Sequence, residues 1–183
     1  MSTPSAFDRY MVLLSRVDSF TALVRDAYAK EIKCGPGCSE CCNNMFTVFA
    51  VEAHNLRSGF AALPRKAQDA ALGKLRGSSP KAACPLLDKY GLCLLYDRRP
   101  IICRTHGYPF SSGLLRVDGQ KVTSFCEKNF TSMPDLSALA NEHVLNLDVL
   151  NSTLTAINLV FMKEQGTEGM YTERLWPAEI FIR

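Results

Sequence analysis

The sequence has little net charge. Lys and Arg number 21 and Asp and Glu 18, a formal charge of +3 over 183 residues. A surplus this small gives no electrostatic reason to expect nucleic acid or an anionic membrane as a partner. Long apolar runs are missing too. The most hydrophobic stretch, 144–162, is broken by Asn146, Asp148, Asn151, Ser152, Thr153, Thr155 and Asn158, and a membrane helix needs roughly 18 uninterrupted apolar residues. No basic segment followed by an apolar run opens the chain, so no secretory signal is expected and the expected location is the cytoplasm. Internal repeats, low-complexity tracts and Gly-rich phosphate loops are absent. With 47% apolar and 21% charged residues, extended disorder is excluded as the main state. The length suits one domain, 1–183, able to bury a core unaided.

What the sequence does have is eight cysteines. In a reducing cytosol, clustered cysteines point to metal ligands or redox groups rather than structural disulfides. Cys34, Cys38, Cys41 and Cys42 fall in one Gly-Pro loop, and Cys84, Cys93, Cys103 and Cys126 follow at wider spacing. Gly35 and Gly37 permit a tight loop whose N–H groups can face sulfur, which matters because neighbouring thiolates repel unless a cation and hydrogen bonds offset their charge. Side chains of the adjacent Cys41 and Cys42 diverge, so one can serve a first centre while the other faces or bridges to a second. Eight thiolates match two four-thiolate sites, or one such site with four spare thiols. Cys126 fits an ordinary buried cysteine equally well.

The remaining pattern is mainly helical. Phe7, Met11, Leu14, Val17, Thr21, Val24 and Tyr28 recur at helical spacing, which predicts an N-terminal helix within 1–33, opened by Thr3-Pro4. Further helices are expected over Ala50 to Phe60 and Pro64 to Arg76, with a short turn from Arg99-Pro100 to Cys103. A small hairpin is expected from Cys84 to Tyr96, and a second from Leu114 to Phe125 around Asp118-Gly119. Leu139, Val144, Leu147, Leu150, Leu154, Ile157 and Phe161 predict a long C-terminal helix over 134–165, followed by a tail over 166–183. The expected fold is mainly α with small β-hairpins, an α+β arrangement in which two long helices flank an irregular cysteine-rich core over 34–126.

Cys34-Gly-Pro-Gly-Cys38-Ser-Glu-Cys41-Cys42 resembles the Cys-x2-Cys-x2-Cys-Cys signature of the YkgJ-type cysteine-cluster proteins, described as zinc- or iron-chelating domains. Cys84-Pro-Leu-Leu, Gly91-Leu-Cys93-Leu-Leu-Tyr96 and Arg99-Pro100-Ile-Ile-Cys103-Arg104 are similar to that family's second half. The likeness spans about 34–126. One departure is visible, a first spacing of three residues instead of two. The resemblance implies metal chelation. A related cluster in flagellin lysine N-methylases makes an iron–sulfur-dependent enzyme conceivable by analogy only.

Short Cys-x2-Cys and Cys-x3-Cys steps favour an iron–sulfur cluster of the [4Fe-4S] type, because structural zinc prefers two separated knuckles and Cys84-x8-Cys93 is not a second one. Zinc, as a multinuclear thiolate cluster, is the rival. The Cys-x3-Cys-x2-Cys spacing equals that of radical S-adenosylmethionine enzymes, but no alternation of strands and helices follows it. His106 is a candidate ligand or hydrogen-bonding neighbour, whereas His54 and His143 read as ordinary helix residues. Arg99 and Arg104 are candidates to neutralise a thiolate site. The expected metal ligands are Cys34, Cys38, Cys41, Cys42, Cys84, Cys93, Cys103 and Cys126. Two functions fit: a cluster-bearing protein with a redox or cluster-dependent role, or a non-catalytic zinc-stabilised interaction module with an unknown protein partner.

Overall fold

A computed structural model describes residues 3–35, 37–76, 82–113, 122–124, 126–133, 135–167 and 174–182. The fold is mainly α with small β elements, as the sequence predicts. The chain divides into two compact units. Unit 1 comprises Met1–Cys34 and Cys103–Ile157, and unit 2 comprises Gly35–Ile102 and Asn158–Arg183.

Unit 1 opens with helix α1 (Ala6–Ala27). Its cap is Ser5 rather than Thr3. The Ser5 hydroxyl accepts from Asp8 N at 3.1 Å and Asp8 Oδ2 accepts from Ser5 N at 2.9 Å, a reciprocal box that satisfies two orphan N–H groups. The buried stripe is Ala6, Tyr10, Leu14, Val17, Thr21 and Val24, so Tyr10 takes the inward place expected of Met11. The helix stops at Ala27, short of the expected 33. There Glu31 O accepts from Phe130 N at 3.1 Å, and Tyr28 and Ile32 turn into a cluster with Val24, Tyr108 and Phe130.

The unit carries a three-stranded sheet in the order β2-β1-β3, from β1 (Phe110–Ser111), β2 (Val122–Thr123) and β3 (Leu145–Asn146). Phe110 pairs antiparallel with Thr123 and parallel with Leu145. The expected Asp118-Gly119 turn lies outside the described residues. Helix α5 (Leu147–Glu164) starts well after 134, which corrects the predicted 134–165 helix. Asp135 and Asn141 only begin single 3-10 turns, Leu136–Ala138 and Asn141–His143, and residues 145–146 are spent on the sheet. Asn146 Oδ1 then accepts from Val149 N at 3.0 Å and caps α5.

Unit 2 is built on α2 (Ala50–Ala61), α3 (Arg65–Leu75) and the short α6 (Pro177–Phe181). Ala53, Leu56, Phe60, Ala71 and Ile180 form its core, which Leu86 and Leu95 of the cysteine segment complete. The 166–183 tail joins this unit through a bridge between Leu175 and Val48, with N–H···O distances of 3.0 and 2.8 Å. Glu52, 2% exposed, accepts from Phe49 N and Ile101 N, both at 3.0 Å, and so ties the start of α2 to that of α4 (Ile101–Thr105). The buried Asn55 receives Arg98 Nη1 at 3.0 Å. Arg98 crosses α2 at Gly59, where a Cβ would lie 2.7 Å from Arg98 Cγ. Among the described residues no helix is long and apolar enough to cross a membrane.

Candidate metal centre

All eight cysteines are thiols rather than disulfides, and all are half-buried. Unit 2 holds five, Cys38, Cys41, Cys42, Cys84 and Cys93, and unit 1 holds Cys34, Cys103 and Cys126.

In unit 2, Gly35 and Gly37 let the chain reverse. Cys38 N donates to Gly35 O at 3.0 Å, and Gly37 takes φ +84°, a conformation suited to glycine. A 3-10 turn, Glu40–Asn43, then carries Cys41 and Cys42. A hairpin forms inside the expected Cys84 to Tyr96 span, from Leu86 to Leu94, and Tyr96 begins a 3-10 turn. Asp88 N donates to Leu92 O and Leu94 N to Leu86 O, both at 2.8 Å, and Leu87 bridges to Cys93. Asp88 Oδ1 accepts from Tyr90 N and Leu92 N at 2.8 Å, and Gly91 supplies the positive φ of the turn. Two contacts join this hairpin to the cysteine loop. Cys84 N donates to Cys42 O at 2.7 Å, and Gly91 packs where a Cβ would meet Ser39 Oγ at 3.2 Å.

The electrostatics follow from that junction. A hydrogen bond with Cys42 pulls the Cys41 thiol down to about 6 from an ordinary 9.0, against the opposing cost of burial and with help from the Arg99 guanidinium. Burial pushes the Cys84 and Cys93 thiols up, and both pack against the unit 2 core. Cys84 feels the charges of Cys93 and Cys41, so these three thiols are close enough to interact. Arg99 stacks on the Tyr96 ring at 3.7 Å, and its charge favours the thiolate forms of Cys41 and Cys93. Arg104 does otherwise. Its Nη1 lies 2.6 Å from both oxygens of Asp18.

In unit 1, Cys34 and Cys126 both approach Gly107. A Cβ on that glycine would lie 3.1 Å from Cys34 Sγ and 3.1 Å from Cys126 Cβ. Asn129 donates through Nδ2 to Cys34 Sγ at 3.4 Å and to Gly107 O at 2.6 Å, and accepts from Lys33 N at 2.8 Å. No sequence pattern marked Asn129. Its one signal is a place three residues after Cys126. Cys103 sits on α4, and His106 follows it half-buried, where burial pushes its pKa down toward the neutral, ligand-competent imidazole. His54 and His143 are packing residues. His54 lies 5.4 Å from the Phe161 ring, and His143 stands edge-on to Tyr28 at 5.2 Å.

The donor chemistry fits a soft ion, since thiolates select zinc, copper(I) and iron–sulfur clusters. Pairwise links run from Cys41 to Cys42 and from Cys84 to Cys93 and Cys41 in unit 2, and Cys34 and Cys126 each approach Gly107 in unit 1. Among the described residues, no three His, Cys, Asp or Glu side chains are gathered closely enough to hold one metal ion. A family model named CxxCxxCC and described as "Putative zinc- or iron-chelating domain" matches residues 33–132. The chain belongs to this family. As a CxxCxxCC domain it is a metal-binding protein of the zinc- or iron-chelating class. No curated protein and no solved structure matches this CxxCxxCC chain.

Proposed function

We propose that the protein binds iron as an iron–sulfur cluster of the [4Fe-4S] type and serves a redox or cluster-dependent role in the reducing cytoplasm. Cys38, Cys41, Cys42, Cys84 and Cys93 supply the main ligands, and Cys34, Cys103 and Cys126 are further sulfur donors. One observation carries this reading: Cys41, its thiol drawn down to about 6 beside Cys42 and Arg99, interacts with Cys84, a thiol on a second chain segment held to the first by the Cys84 N to Cys42 O bond. When bound, such a cluster supplies one-electron chemistry at sulfur-ligated iron. The chain's own part is to hold Cys41 as thiolate near neutral pH and to offset its charge with Arg99. It also keeps Cys84 and Cys93 against an apolar cluster, where their thiols give up protons only as metal binds.

A zinc-stabilised interaction module is the second reading. In its favour, Cys84 and Cys93 lie on one bridged hairpin, a place where a structural ion would staple two strands. Metal and acid-labile sulfide analysis of anaerobically purified protein separates the two. Iron with sulfide, and a brown colour bleached by dithionite, is expected. Colourless protein with stoichiometric zinc overturns the cluster in favour of the module. Cys38→Ser and Cys41→Ser should each lose metal, and a change at His54 should not.

A further inference from the structure

The segment over 84–99 packs Cys93 and Leu95 on the unit 2 core and leaves Tyr90, Leu92 and Tyr96 outside, exposed by 70%, 44% and 45%. Two of these three carry a cation on the ring. Lys89 Nζ stands 4.8 Å from the Tyr90 centroid, and the Arg99 guanidinium 3.7 Å from that of Tyr96, where its Nε also donates to Tyr96 O at 3.0 Å. A cation held on a ring has less side-chain freedom left to lose when a partner arrives. Lys74 adds a third charge by donating to Leu87 O, and Arg98 a fourth near the segment's end. Of the nearby carboxylates, Asp88 is turned onto Tyr90 N and Leu92 N, which leaves Asp97 and, on the cysteine-bearing turn, Glu40. Exposed tyrosine beside a fixed arginine is the composition of an interface centre, and the sign of the charge selects an acidic partner.

We infer that this tyrosine and cation surface docks a one-electron carrier protein with an acidic face. The inference rests on the redox reading of the cysteine site and names the class of partner for it. Leu92 directly precedes Cys93, and the Arg99 charge acts on both Cys41 and Cys93, so a partner seated here lies beside sulfur donors. One electron passes from the reduced carrier to the metal centre. The carrier is oxidised, the centre is reduced, and no bond forms or breaks. A transient contact of this kind is small and relies on charge for its on-rate.

The test is stopped-flow reduction of the anaerobically purified full chain by reduced plant-type ferredoxin, an acidic one-electron carrier. The second-order rate should fall about tenfold between low and physiological salt, because screening removes the steering. Lys89→Glu and Tyr90→Ala lie outside the ligand set. Each should slow the reaction about 5- to 10-fold at low salt, with parent metal content and the parent rate of reduction by dithionite. Lys66→Glu, about 12 Å along α3 from Lys74, should react like the parent. Parent rates in Lys89→Glu, a rate indifferent to salt, or equal slowing by Lys66→Glu overturns the docking surface while leaving the redox site intact. Tighter calorimetric binding of single-stranded oligouridine than of ferredoxin, lost in Tyr90→Ala, overturns the acidic protein in favour of nucleic acid. A chain that takes no electron even from dithionite overturns the redox reading and the carrier with it.

Discussion

Cys41 and Gly107 show how much hangs on single residues. With its thiol at about 6, Cys41 of the metal-free chain should react with iodoacetamide along a pH profile centred there, far below the ordinary 9.0. Cys42→Ala should move that midpoint up, because the hydrogen bond with Cys42 is the largest cause of the shift and alanine has no donor. The sign carries over to stability. A depressed acid stabilises the fold fully above its unfolded pKa, and the contribution is lost as pH falls through about 6. A midpoint near 9 in mass-resolved labelling would contradict the assignment. Gly107→Ala has two costs, a side chain at φ +89° and a Cβ pressed against Asn129, Cys34 and Cys126. Positive φ alone costs on the order of 1–3 kcal/mol, so urea unfolding of this variant should show a clear loss. Gly35→Ala, with open space around it, should show much less.

At the scale of elements, stability concentrates where one side chain serves two segments. Glu52→Ala leaves the N–H groups of Phe49 and Ile101 without its carboxylate, and a buried donor so deprived costs about 1–3 kcal/mol. A lower melting temperature is expected, measured by circular dichroism. Burial holds the Glu52 pKa above its ordinary 4.5. The folded state therefore binds this proton more readily than the unfolded one, and the Glu52 contribution grows as pH falls from the raised value toward 4.5. Glu52→Gln should flatten stability in that window. Ser5→Ala, by contrast, should cost about 1 kcal/mol and let the lowered Asp8 pKa rise toward its ordinary 3.8, since the Ser5 hydroxyl is the largest cause of that shift. Elements with their own periodicity were legible in the sequence: α2 and α3 stand where spacing places them, α1 exists but ends at Ala27 and not near 33, and a hairpin turns at Gly91 within 84–96. The start of α5 was not. Leu139 and Val144 keep helical spacing with Leu147, yet they sit in a core beside Tyr108 and Phe130 while the backbone makes 3-10 turns and a two-residue strand. Apolar spacing reports which residues go inside, and not the backbone path that takes them there. Asn129 was illegible for a related reason, since the partners of a buried amide are backbone groups with no signature in sequence.

For the whole molecule, the cysteines were legible as a set and their allocation was not. The sequence shows eight thiols but not that Cys34, Cys103 and Cys126 fall in one unit and the other five in the second. If metal ligation organises residues 37–43 and 84–96, chelation should raise amide hydrogen exchange there and leave the middle of α1 protected, as its capping box involves no thiol and Tyr10, Leu14 and Val17 are buried along it. Uniform loss of protection along α1 would count against this. The bond from Cys84 N to Cys42 O has a last consequence. It is made by main-chain atoms, so a Cys→Ser change removes a sulfur ligand without removing either hydrogen-bonding group. A cysteine-free chain is therefore a fair blank for spectroscopy. Only an ester linkage in place of the amide at Cys84 would unpick that stitch.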